Sequence, residues 1–596
     1  MRVSGPRHGE ARREGAVDVG SRRRRRLAWL GGCVGWVGVG AMSCGKAFLE
    51  PWPEPPAFEA PAEYRYTLVP DSLEIDDPVA QASLLERRLA AFAAHVEKQR
   101  RRRLPPPVSL DREGLTRELE SIVARLEGDA TVAVHVRDLL GNRVVYDHYG
   151  DALMNPASNQ KIVTAAAALD LLGADYVFET EFSYRDGALH VRGEGDPTLD
   201  SDALEEAVRG ALEVIGDDPV QRIVVDDAAF STERLAPGFD PGGVGVSYQA
   251  PSGALSLNFN TVEVLVYPVA GARSPAVSLI PASTHLRLDN RARVGSKDAL
   301  DIRSRLVGGV PLAHQPGSDV QGTAKAGARA TLERRRIGDP GLFTGGAVAE
   351  IVAKIVGGEP PPVVRGPVPH DAELVYVHES PPLVEVADRG LAYSNNFIAE
   401  QMLRTMGWRL SGDPGDWTNG REVLEGYWTA IGNDLAAISV QNGSGMTREG
   451  RVSAASLVDL IAVAERNESH ALFDALPVAG EEGTLRARLR KSGKRVRAKT
   501  GTMDGVSGLS GVILGEDGQA QIAFSILTNV EAESRVPASR RREVEDALVM
   551  TLLEHLDDWE IRWAIEILEA EPVIGDVQAA LDGAVDAVDE ATLSRG

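Results

Sequence analysis

The segment Asn155-Pro156-Ala157-Ser158-Asn159-Gln160-Lys161-Ile162-Val163 leads into an alanine-rich run, 161–172, that reads as a helix. A serine and a lysine three positions apart at a helix start lie on one face, which brings the amine within reach of the hydroxyl. In a partly dehydrated site the lysine can be neutral and accept the serine proton, turning a poor nucleophile into an acylating one. Pro156 and Ser158 suit a helix N-terminus, where unpaired N–H groups and the dipole favour a developing oxyanion. The spacing alone is weak evidence. It recurs as Ser43-Cys44-Gly45-Lys46, outside any helical pattern.

The flanks of this segment set the fold class. Upstream, 111–127 reads as a helix with Leu115, Leu119, Ile122, Val123 and Leu126 on one face. Residues 131–138 and 143–149 alternate apolar and polar side chains around Gly141-Asn142, the pattern of a β-hairpin. Downstream, from about 180 to 340, short strands such as 222–225, 262–266 and 277–280 sit among frequent Gly, Pro, Asp and Asn, a β-rich insertion of one or two domains. Helical patterns return at 345–356, 394–406, 419–431 and 453–466, followed by strands at 512–514 and 521–527 and a helix at 541–556. That order predicts an α+β fold: a sheet built from both chain ends, covered by helices.

Two further motifs carry chemistry. Ser394-Asn395-Asn396, in a loop entering a helix, offers a hydroxyl able to relay a proton and an amide able to hold a peptide carbonyl. Its look-alike Ser256-Leu257-Asn258 adjoins strands instead. Lys499-Thr500-Gly501-Thr502 follows the strand-like Arg495-Val496-Arg497-Ala498. On an edge strand Lys499 and Gly501 face one way and Thr500 and Thr502 the other; Gly501 lets a substrate backbone approach, and Lys499 offers charge to a carboxylate. Lys325-Ala326-Gly327 and Lys491-Ser492-Gly493 lack the paired apolar strands that follow Lys499.

Composition narrows the partners. The 596 residues carry a net charge of −23, and because residues 1–43 hold nine Arg against three acids, the rest carries about −29. Such a body repels phosphate backbones, so nucleic acid is not an expected partner. Cys33 and Cys44 are the chain's two cysteines, which leaves the body without a disulfide or a thiolate metal cluster. No HExxH or Gly-x-Ser-x-Gly pattern occurs, and no metal or cofactor is expected. Arg22 to Arg26 precede a sixteen-residue uncharged run, 27–42, with five Gly. That is the layout of an export signal, too short for a span of about 20 apolar residues. Ala41-Met42-Ser43-Cys44 resembles a bacterial lipobox, which marks Cys44 for lipidation and membrane attachment, although Ala41 stands where Leu is usual.

The three motifs, separated by 236 and 105 residues, come with Gly195-Asp196-Pro197-Thr198-Leu199, Val224-Val225-Asp226-Asp227, Ala254-Leu255-Ser256-Leu257-Asn258, Asn442-Gly443-Ser444-Gly445 and Leu476-Pro477-Val478-Ala479-Gly480. Together they resemble the low-molecular-mass class C penicillin-binding proteins, D-alanyl-D-alanine carboxypeptidases and endopeptidases interrupted by domains between the first two motifs. The resemblance covers about 110–556. It implies a penicillin-binding-protein transpeptidase/β-lactamase-like domain, an antiparallel sheet flanked by helices, formed by 110–180 and 345–556, with β-rich domains inserted at 181–344. A signal peptide at 1–43, a Pro-rich tether and helix at 44–109 and an acidic tail at 557–596 complete the expected layout.

The resemblance also implies roles. Ser158 would attack the penultimate D-Ala carbonyl of a peptidoglycan stem peptide and Lys161 would take its proton. Ser394 would relay a proton to the leaving D-Ala, Asn396 would hold the substrate backbone, and Lys499 and Thr500 would bind the terminal carboxylate. Backbone N–H groups of Ser158 and Thr502 would form the oxyanion hole, and β-lactams would act as covalent inhibitors. The expected location is outside the cytoplasmic membrane, in the periplasm or on the outer face of the envelope. Two departures stand out: Asn395 replaces a frequent Asp, and Gly443-Ser444-Gly445-Met446-Thr447 stands for Gly-Ser-Gly-Leu-Ser. A β-lactamase-like or esterase-like hydrolase on the same scaffold, and a non-catalytic wall-binding protein, remain the competing readings.

Overall fold

The computed structural model describes residues 112–570 apart from 243–244, 270, 306–316, 467–469 and 532–533, together with part of a helical stretch between 85 and 96. The expected signal peptide, Cys44, most of the tether and residues 571–596 lie outside the described residues.

A five-stranded antiparallel sheet forms the centre, in the order Val496–Met503, Val506–Leu514, Ala520–Val530, Ala130–Asp138, Arg143–His148. Both chain ends meet in it, since Val136 pairs with Phe524. The period-2 alternation of strand side chains divides its residues between two cores. Val132, Val134 and Val136 pack with Phe524, Ile526 and Leu509 against the helices Arg112–Val123 and Ala538–Ala570. All five apolar residues foreseen on the first helix are buried there. Ala133, Ala523, Leu527 and Val512 face the opposite core, built on the helix Gln160–Leu172. That helix is buried on nearly every side, and the run Ala165 to Ala168 lets the helices Leu383–Ala392, Asn396–Ser411 and Trp417–Ala430 pack close around it.

The insertion differs from the expected layout. A second five-stranded sheet runs Val363–Arg365, Arg222–Asp226, Ala188–Gly193, Glu179–Arg185, Glu373–Glu379. The helices Ser201–Ile215 and Pro340–Val356 cover it. The expected boundary at 344 therefore falls inside a helix, and the inserted sheet takes strands from as far along the chain as Glu379. Local patterning hid this because the joining pairs are remote in sequence: Val363 pairs with Ile223 and Glu379 with Glu179. Smaller sheets between Thr261 and Arg336 share a core of Val264, Val266, Ile302 and Val320. At the far end the last helix continues through Ala570, past the expected start of a tail at 557.

Candidate active site

Ser158 occupies the short 3₁₀ turn Ala157–Asn159 that feeds the helix Gln160–Leu172. Side chains on either hand hold the turn. Asn155 Oδ1 accepts from Ala157 N at 2.9 Å, Asn155 Nδ2 donates to Thr447 O at 2.9 Å, and Asn159 Nδ2 donates to Pro156 O at 3.1 Å. Asn155 and Asn529 exchange two bonds, of 2.9 and 3.1 Å, which fasten the turn to the central sheet. Ala157 has φ of 45°, a left-handed conformation that costs a residue with a Cβ about 1–2 kcal/mol. Strain of this kind, held by the surrounding bonds, sits beside the residue expected to react.

Lys161, the second residue of that helix and one turn beyond Ser158, is 1% exposed. Its Nζ lies 3.0 Å from Ser158 Oγ and donates to Asn396 Oδ1 at 2.7 Å and to Ser444 O at 2.8 Å. With two carbonyl oxygens taking N–H groups, a neutral amine can turn its lone pair to the serine hydroxyl. An ammonium can instead donate toward the same oxygen, so a proton can pass between Oγ and Nζ without rebuilding the shell. Asn396 is oriented by its other end, where Nδ2 donates to Tyr248 O at 2.8 Å. Tyr248 belongs to the insertion, so part of the site's frame comes from there.

The second motif stands at the start of the helix Asn396–Ser411. Asn395 Oδ1 accepts from Ile398 N and caps this helix, a task that Asn and Asp perform about equally. The departure at Asn395 therefore preserves its structural role. Ser394, half-buried with φ of 55°, is turned out of helical geometry just before the cap.

The third motif lies on Val496–Met503, at the edge of the central sheet. Lys499 is fully buried and donates to Thr500 O at 2.6 Å; Thr500 Oγ1 donates to Thr484 Oγ1 at 2.7 Å. Ala498 N bonds Pro477 O on the outer side of this edge. Because the backbone repeats every two residues, Thr500 and Thr502 turn their N–H groups the same way. Gly501 has a different reason for being glycine than substrate approach alone. A Cβ there would lie 2.7 Å from Pro156 O and 2.6 Å from Asn159 Nδ2, so its bare backbone lets the strand seat against the turn carrying Ser158. The look-alike Ser256 is buried in the insertion, with its hydroxyl donated to Gly253 O.

Several contributors escaped the motif reading. Thr164 Oγ1 donates to Gly443 O at 2.7 Å, and the carboxylate of Glu400 receives the N–H groups of Gly443 and Ser444. An acid directly after the apolar run Phe397-Ile398-Ala399 was the available signal for Glu400. On the helix Leu383–Ala392, burial and the neighbouring Glu482 push Asp388 up to about 7. A cavity of about 360 Å³ opens beside Asn155 and Asn529, with Arg448, Arg451 and Met503 in its wall. Among the described residues no cluster of His, Cys, Asp and Glu is arranged to hold a metal ion, and no helix is long and apolar enough to cross a membrane.

A buried lysine against a serine at a helix start, framed by a side-chain amide and an edge strand, is the arrangement that an active-serine acyl-transfer enzyme requires. The model of the D-Ala-D-Ala carboxypeptidase 3 (S13) family matches residues 115–552, and the chain belongs to that family of serine peptidases. A D-alanyl-D-alanine carboxypeptidase of Actinomadura sp. (strain R39) is 34% identical over 465 residues, which cover 72% of this chain and 82% of that protein. The D-alanyl-D-alanine carboxypeptidase DacB of Haemophilus influenzae is 23% identical over 442 residues, covering 68% and 87%. The crystal structure of penicillin binding protein 4 from Haemophilus influenzae shares the fold, with a TM-score of 0.62 at 20% identity over 73% of this chain and 99% of that one.

Proposed function

We propose that this chain removes the terminal D-Ala from peptidoglycan stem peptides through an acyl-enzyme on Ser158, and that it also cleaves peptide cross-links. The observation that carries the reading is the contact of Lys161 Nζ with Ser158 Oγ, with Asn396 and Ser444 supplying the other acceptors. Ser158 Oγ attacks the penultimate D-Ala carbonyl carbon while its proton passes to Lys161 Nζ. The oxyanion that forms is met by the N–H groups of Ser158 and Thr502, the first at a helix start and the second on the open strand edge. When the C–N bond breaks, the leaving D-Ala nitrogen takes the proton held by Lys161, passed through Ser394; Lys161, neutral again, then accepts a proton from the water that attacks the ester and returns it to Ser158 Oγ as the acyl group leaves. Asn396 holds the substrate backbone. Lys499 and Thr500 receive the terminal carboxylate, and Gly501 and Thr502 line the strand on which the peptide lies.

A β-lactam presents an acyl group of the same kind, so it acylates Ser158 and is released slowly. The Haemophilus influenzae relative has a solved structure in complex with a β-lactam, which supports this reading. Export by the signal at 1–43, lipidation of Cys44 and placement in the periplasm or on the outer face of the envelope are part of the same proposal. Labelling purified protein with a fluorescent penicillin, wild type beside Ser158→Ala, tests it. A stable band on a denaturing gel, absent from the variant, is the expected result. Folded wild type that neither labels nor consumes the drug would overturn the mechanism, and rapid turnover would favour the β-lactamase-like alternative.

A further inference from the structure

Glu400 is 1% exposed and lies one turn along the helix from Asn396. A buried carboxylate is costly unless donors surround it. Here Oε2 accepts from Gly443 N at 3.0 Å and from Trp417 Nε1 at 2.8 Å, and Oε1 accepts from Ser444 N at 2.9 Å. Two of these donors are consecutive backbone amides of the turn whose next carbonyl, Ser444 O, takes a hydrogen bond from Lys161. The peptide unit that carries this carbonyl is also held at its other end, because Gly445 N donates to Asn442 Oδ1 at 2.8 Å. Asn442 Nδ2 in turn donates to Pro237 O of the insertion at 2.7 Å.

We propose that Glu400 is a positioning residue for the reaction: by gripping the Gly443 and Ser444 amides it aims the Ser444 carbonyl at Lys161 and so sets the direction of the amine toward Ser158. One helix then supplies both carbonyl-bearing constraints on the amine, Asn396 directly and Glu400 through the turn. The fit is specific to a carboxylate. Three N–H donors converge on it, so an isosteric amide would turn its own NH₂ toward at least one of them. The proposal rests on Ser158 and Lys161 acting as described above.

Stopped-flow acylation by a chromogenic β-lactam, analysed for the prior binding constant and the acylation rate constant, separates positioning from folding. The full chain is compared as wild type, Glu400→Gln and Glu400→Asp, with melting temperatures recorded for each. In Glu400→Gln the acylation rate constant is expected to fall by roughly tenfold to a hundredfold, part of what a general base contributes. The binding constant is expected to change by less than about threefold, as for an interaction felt in the transition state. Glu400→Asp, which keeps the charge on a shorter stem, is expected to recover part of the rate. A folded Glu400→Gln with wild-type acylation overturns the proposal, as does a loss confined to binding. If neither variant folds, Glu400 serves the fold and not the amine, and the proposal fails. If wild type itself is not acylated, the underlying serine mechanism has failed instead.

Discussion

Ser158, Lys161, Asn396 and Ser444 meet within hydrogen-bond reach although they come from three separate stretches of chain. Gly445 shows how tightly they are packed. Its φ is 73°, and a Cβ there would fall 2.0 Å from Ala157 O and 2.6 Å from Gln160 Cβ. Gly445→Ala is therefore expected to push the turn away from the start of the Ser158 helix. Thermal melts should show a loss of about 2–3 kcal/mol, and penicillin labelling a fall of at least about tenfold.

Asp388 makes a pH-dependent contribution to stability. Its folded value of about 7 lies above the value near 3.8 expected when unfolded. The folded state thus binds the extra proton between those values, and stability falls as pH rises from about 4 through 7. Asp388→Asn is expected to stabilise the protein by about 1–2 kcal/mol at pH 8, allowing for partial exposure, and by almost nothing at pH 4. Melting temperatures measured across that range check the sign.

At the scale of elements, the helix Asn396–Ser411 joins the insertion to the catalytic core. Gln401 Nε2 donates to Gly195 O and Gly253 O, at 3.0 and 2.9 Å. Arg404, fully buried, lies over the rings of Phe230 and Trp417 and donates to the carbonyls of Ser231, Ser252 and Gly415. Burial holds its pKa below the ordinary arginine range, yet the carbonyl oxygens around it need the guanidinium donors. Arg404→Met keeps much of the volume and removes every donor, so it is expected to cost about 3 kcal/mol in urea unfolding. Arg404→Lys is expected to recover only part of that, because an ammonium cannot reproduce the planar fork. The motifs made this helix legible from Ser394 onward, but its binding partners were not legible. Most of its hydrogen bonds to the insertion and to Gly415 end on backbone carbonyls, which carry no residue identity.

At the scale of the molecule, the insertion leaves and returns at one place. Glu179 and Glu379 are direct cross-strand partners, and Ser380 N donates to Phe178 O at 2.9 Å. A chain interrupted between neighbouring points costs its host fold little loop entropy. Yet Tyr248 O orients Asn396 and Pro237 O orients Asn442, so the insertion takes part in the site. Replacing 181–377 by a short Gly/Ser linker is therefore expected to abolish penicillin labelling even if circular dichroism still reports a folded core.

What the sequence determined by itself was local and periodic. The apolar stripe of Leu115, Leu119 and Ile122, the alternation of Val132, Val134 and Val136, and the Ser158–Lys161 spacing each follow from repeats of 3.6 or 2 residues, and the structure realises all of them. The order of the three motifs carried the family. What the tertiary structure alone decided was which distant groups converge: that Ser444 O and Asn396 Oδ1 close on Lys161, that Glu400 reaches the Gly443 and Ser444 amides, and that the inserted sheet extends to Glu379. These contacts join positions tens to hundreds of residues apart, mostly through backbone atoms. Backbone atoms are the same at every position, so their meeting becomes visible only once the chain has packed.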